Sequence, residues 1–149
     1  MKREDIESYN YIIIAVVVIL VGAIFFFRIR NQEMYFARSA LYGLFKGNLG
    51  VAKQIDWQNL KMLGQDVGVI YNKLPDEREK KDFQAAFVRN FSRGFQASGA
   101  KLSSYANWRV DSRESDFTVV AVDDTAHKKT ALVLISKIPK HKLAGLSWR

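Results

Sequence analysis

The two histidines, His127 and His141, stand fourteen residues apart in a chain that has no cysteine. A zinc or similar metal centre needs clustered His, Cys or carboxylate ligands, and neither histidine has a second at helical spacing. Each is therefore expected in a solvent-exposed turn. The adjacent acids Asp123 and Asp124 could form half of a calcium site, but no Gly-centred loop with a bidentate Glu follows them. A hairpin turn accounts for both. General acid–base chemistry needs an acid tuned by an apolar surround, and the candidates are Asp56 and Asp66 with Tyr42 or Tyr71. Asp56 also suits a helix N-cap, and Asp66 falls on a polar face between Leu63 and Ile70. The phosphate-binding and nucleophile-elbow signatures are missing, and Gly43, Gly47 and Gly50 are wrongly spaced for them. The residues thus assign no catalytic group, metal or cofactor.

Charge offers a different chemistry. Lys and Arg number 23 against 15 acids, a net charge of +8, of which the first thirty residues carry only +1, with four bases against three acids. From Thr125 to Arg149 stand Lys128, Lys129, Lys137, Lys140, Lys142 and Arg149, with no acid. Lys128 and Lys129 on one turn, and Lys140 and Lys142 on another, would place charge at the ends of a sheet. There it could meet anionic headgroups or an acidic partner, although a solubilising surface explains the same residues. Nucleic acid is not the expected partner: Lys outnumbers Arg in this tail, and Trp148 has no alternating aromatics beside it to form a stacking platform.

The elements that hold these residues begin with an apolar run, YIIIAVVVILVGAIFFF, from Tyr11 to Phe27. As a helix its seventeen residues extend roughly 25 Å, and interfacial Tyr9 and Tyr11 with snorkelling Arg28 and Arg30 can complete a bilayer crossing. Phe25 to Arg28 stand where a signal peptide would need small residues for cleavage, so an uncleaved single-pass anchor is expected. The division that follows is a tail at 1–8, a transmembrane helix at 9–30 and a domain at 31–149. Lys2 and Arg3 before the span, against Arg28, Arg30 and Arg38 after it, lean towards a cytoplasmic domain, but the α-amino group narrows the margin to one charge or none. On that count a cytoplasmic tether for RNA or ribosomes stays open.

In the domain, Ala37, Ala40, Leu41, Leu44 and Phe45 recur at three and four, predicting that one helix continues from the membrane. A second helix is predicted from Trp57 to Asn72, capped by Asp56, with Leu60, Leu63, Val67 and Ile70 on one side. A third starts at Pro75 and stops at Gly99. Along it Phe83, Phe87, Phe91 and Phe95 form a row that lines either a pocket or, the reading favoured by the burial habits of Phe, a core seam. Four strands follow, at Leu102–Val110, Phe117–Val122, Thr130–Ile138 and Leu143–Trp148, and the short turns between them require an antiparallel meander. The middle two are apolar on both faces, so the face turned from the helices must meet a second copy or a neighbouring subunit.

These segments resemble a known superfamily. The opening ARSALYGLFKGNLGVAKQI, the third-helix start YNKLPDEREKKDFQAAF and the closing strand LAGLSW are similar to the nuclear-transport-factor-2-like, or cystatin-like, cone. The resemblance covers residues 34–149 and implies an α+β domain of three helices packed on a curved four-stranded antiparallel sheet. A cone behind one membrane helix is similar to the VirB-type inner-membrane scaffold subunits of type IV secretion and conjugation machines. That implies a non-enzymatic assembly role, self-association or membership of a membrane protein complex, and a domain outside the cytoplasm, at the inner membrane if the source is bacterial. The same fold can also host small-molecule-binding or acid–base enzymatic domains, which is the competing expectation.

Overall fold

The computed structural model describes residues 3–138 and 141–149. The chain divides into two compact units, Met1–Gln32 and Glu33–Arg149. The first unit consists of helix α1, Arg3–Arg30, which starts within the expected tail. From Tyr11 to Arg30 it is long and apolar enough, by length and composition, to cross a membrane, and its apolar side chains there are exposed on every side. Arg28 and Arg30 occupy its last turn, where positive charge suits the negative end of the helix dipole.

Helix α2, Gln32–Lys46, is a separate helix from α1, with Asn31 in the turn between them, and not the single continuous helix that the periodicity predicts. Its buried residues are Ala37, Ala40, Leu41, Leu44 and Phe45, the expected stripe. Gly47 ends it with φ +68, a left-handed conformation that glycine adopts without a Cβ clash. A side chain there would also press on Ser92, whose hydroxyl donates to the Phe45 carbonyl at 2.8 Å.

The predicted helix at 57–72 does not form. In its place a short 3-10 helix, Leu49–Gln54, leads to a hairpin of β1, Lys61–Met62, and β2, Gln65–Asp66, and then to α3, Val67–Asn72. The apolar spacing at 60, 63, 67 and 70 fits a helix, but Leu63 and Gly64 both take positive φ, +51 and +85, in the two-residue loop between β1 and β2. Paired positive φ values are those of the turn whose twist matches a tight hairpin. Asp66, expected on a polar helix face, instead caps α3 by accepting from Val69 N–H at 3.2 Å. Asp56 caps no helix; its carboxylate accepts from the Asn59 amide.

Helix α4, Glu77–Ala97, begins one residue after Asp76, whose carboxylate accepts from Glu79 N–H at 2.8 Å. Pro75 therefore lies ahead of the cap and not at the first helical position. Gly99, with φ +71, follows the end of the helix as expected. After it come β3, Tyr105–Arg113; β4, Phe117–Asp124; β5, Lys129–Ser136; and β6, Lys142–Trp148. These four form the predicted antiparallel meander, but the sheet is larger and mixed, with the order β2-β1-β6-β5-β4-β3 and β1 parallel to β6. The outer edge of β6 would otherwise present unpaired backbone groups, and the preceding segment satisfies them: Leu63 N–H donates to the Leu146 carbonyl at 2.8 Å and Asp56 N–H to that of Leu143 at 2.9 Å.

Cross-strand register sorts the sheet into two faces. Thr118, Ile135 and Leu143 align, as do Val120, Val133 and Leu146; all are buried, and all but Thr118 belong to one hydrophobic core with Leu41, Leu44 and Val88 of the helices. Fully burying one such Leu or Val stabilises by about 1.5–3 kcal/mol, so this layer carries much of the domain's stability. Phe83, Phe87, Phe91 and Phe95 pack against it half-buried, with Phe45 stacked on Phe95 at a centroid distance of 3.9 Å.

Candidate functional site

The other face of the sheet carries residues at alternate positions along the same strands. Phe117 aligns with Ser136 and Lys142; Val119 with Leu134 and Gly145; Ala121 with Leu132 and Ser147. Strand alternation requires this arrangement: once Val120 and Val133 point to the helices, Val119, Leu132 and Leu134 must point away. Those three are only half-buried. No described element of the Glu33–Arg149 unit layers this face as α2 and α4 layer the other.

Two adjoining hollows of about 340 Å³ each lie on it and share Lys61 and Leu134. One has a mainly apolar floor of Val119, Leu132, Leu134 and Gly145; the other has Gln58, Asn59, Asp66 and Asn72 together with Val69 and Phe117. Together they make a groove with an apolar middle and an end of mixed character. Gly145 sets its depth at the β1–β6 junction, because a Cβ there would stand 3.1 Å from the Lys61 carbonyl oxygen and 3.3 Å from Leu134 Cβ. Lys61 is exposed between the two hollows, the one cation in both linings.

Towards the β4–β5 turn the same face becomes polar. Asp123 accepts from Asn107 at 3.2 Å, Thr130 at 3.0 Å and Arg109 at 3.1 Å. Those hydrogen bonds, the one from Asn107 foremost, hold its carboxyl below the usual Asp range. Arg149 reaches Asp111 with both terminal nitrogens, at 3.4 and 3.1 Å.

The expected acidic turn is displaced. Asp123 and Asp124 end β4, and Thr125–Lys128 makes the turn. Asp124 is buried and organises it, accepting from Ala126 N–H and His127 N–H and lying 2.8 Å from His127 Nδ1. Burial, with the Asp124 charge adding to it, raises the Tyr105 hydroxyl to about 12. His127 and His141 both fall in turns or bends, the second against the ring of Phe36. Among the described residues no group of three or more His, Cys, Asp or Glu could hold a metal ion.

The lysines do not converge. Lys128 and Lys129 sit at the β4–β5 end of the sheet, Lys142 at the opposite end, roughly 23 Å away along a strand of this length. Lys142 Nζ donates to the Lys53 carbonyl. Lys140 lies outside the described residues. The acid–base candidates also divide. Asp56 and Tyr71 line one open hollow of about 300 Å³ with Trp57 and Lys142, whereas Asp66 belongs to the groove rim and Tyr42 packs edge-on against Trp108. Of the phenylalanine row, Phe83, Phe87 and Phe91, with Ala86 and Asn90, wall an open groove of about 320 Å³ on α4. Sequence reading missed Lys61 and Gly145 as groove residues, because a parallel pairing of β1 with β6 brings them together and nothing local to either announces it. The apolar character of both faces of the middle strands was the available signal.

Comparison with protein-family models, with curated proteins and with solved structures returns no match for this chain.

Proposed function

We propose that this chain is a single-pass membrane-anchored, non-catalytic interaction and assembly module, with α1 as the anchor and the sheet face turned from α2 and α4 as the surface that receives a partner. The observation that carries this reading is the open apolar groove over Val119, Leu132, Leu134 and Gly145. Apolar surface of this kind, rimmed by polar groups and left uncovered by α2 and α4, is characteristic of an interaction site. A partner segment with apolar side chains for the floor and an acid for Lys61 matches its chemistry, and the lysines at the two ends of the sheet add attraction at longer range. The order of helices followed by a four-strand meander supports the likeness to the cone superfamily and to secretion or conjugation scaffolds. In that reading the domain lies outside the cytoplasm.

The mass of the assembly extracted with the full chain in mild detergent tests the proposal. Leu132→Lys, a charge in the groove floor, is expected to release the partner while the domain keeps its native circular dichroism. An assembly of unchanged mass would contradict it.

A further inference from the structure

We propose that two copies of this chain pair through α4, antiparallel, about a two-fold axis at Ala86. At about 100° per residue, Glu79, Asp82, Ala86, Arg89, Asn90 and Arg93 fall within about 100° of arc on this helix. All six are exposed. Their order matters: both acids precede Ala86 and both arginines follow it, with Glu79 and Arg93 each seven positions away. Among the described residues none of these four charges has an ion-pair partner within the chain. Of the two cations adjoining Glu79 along the helix, Lys80 is turned elsewhere, paired with Glu77 and lying over the Tyr71 ring, and exposed Arg78 falls about 20° outside the stripe.

Reversing one copy about Ala86 sets Glu79 against the partner's Arg93, and Asp82 beside the partner's Arg89. The two-fold repeats every contact. A parallel pair would instead align like charges. Ala86 on the axis lets the backbones approach to about 8 Å, and antiparallel dipoles add a favourable term. The open groove walled by Phe83, Phe87 and Phe91 then flanks the contact, on the side where the partner's Asn90 lies. An anionic bilayer fits this face less well, because Glu79 and Asp82 share it. The pairing does not depend on what the sheet face binds.

Because the chain has no cysteine, one introduced thiol reports the axis. In the full chain reconstituted in vesicles, oxidation of Ala86→Cys is expected to give a cross-linked pair, since the two positions meet at disulfide distance. Ala97→Cys is expected to give none: eleven residues from the axis, its two copies stand about 33 Å apart. In the Ala86→Cys background, Glu79→Arg or Arg93→Glu should each lower the yield about tenfold, and combining them in one chain should restore it. Equal cross-linking from positions 86 and 97, or failure of the double reversal to recover what both single reversals lose, would overturn the proposal. Quenching of a probe at position 86 by spin-labelled lipid would do the same, assigning the face to the bilayer. Leu132→Lys should leave the cross-link intact, so failure of the partner-groove reading and failure of this one give different results.

Discussion

Tyr105 shows how a single residue couples the core to the β4–β5 turn. Its hydroxyl is raised to about 12 first by burial and then by the charge of Asp124 beside it. The unfolded chain loses this proton near pH 10, while the folded chain keeps it until about pH 12. The stabilisation is therefore fully present below pH 10 and is lost as the pH rises from there to about 12. Urea unfolding of the full chain in detergent should show that decline, and Tyr105→Phe should flatten it; an equal decline in both proteins would place the effect elsewhere. Asp123 behaves in the opposite sense, its depressed carboxyl favouring the folded state above the ordinary Asp range and losing that effect as the solution is acidified below it. Neither effect could be read from the sequence, where the two acids looked like equivalent turn residues. One of them is buried and the other is partly exposed because strand alternation continues through Asp124.

At the scale of elements, legibility followed the range of the interactions. The stripe Ala37–Phe45 and, to within two residues, the extent of α4 were visible because spacing and the stop glycine are local. The meander was visible because short turns permit no other connection. The segment at 57–72 was misread because its apolar spacing suits a helix, while its actual conformation depends on β6, more than seventy residues later. The local warning was the pair of glycines at 64 and 68. A Cβ on Gly68 would sit 2.3 Å from the Gln58 carbonyl oxygen, a close approach that an alanine cannot make without moving the backbone. Leu63 remains the least suited residue in the hairpin, with φ +51 and a half-exposed side chain. Leu63→Asn, which creates the Asn-Gly pair this turn favours, should stabilise the domain by about 1 kcal/mol in thermal unfolding. Asp76→Ala, which removes the α4 cap, should destabilise it by a similar amount, about 1 kcal/mol. If Leu63→Asn destabilised the domain, the hairpin itself would be in doubt.

For the whole molecule, the notable asymmetry is between the two faces of one sheet. Helices α2 and α4 bury the first; the second keeps apolar residues in a groove with a lone lysine between its two hollows. The chain also carries a helix long and apolar enough, by length and composition, to cross a membrane, and the partner proposed for the groove is accordingly a membrane-associated protein. The most direct measurement is photo-cross-linking in intact membranes from a reactive group at Leu132, with exposed Ser103 as the control position. A discrete protein adduct from Leu132, absent from Ser103 and lost when Lys61 is reversed to Glu, is the predicted result. No adduct from Leu132, or the same adducts from both positions, would contradict the reading of this face as the partner surface.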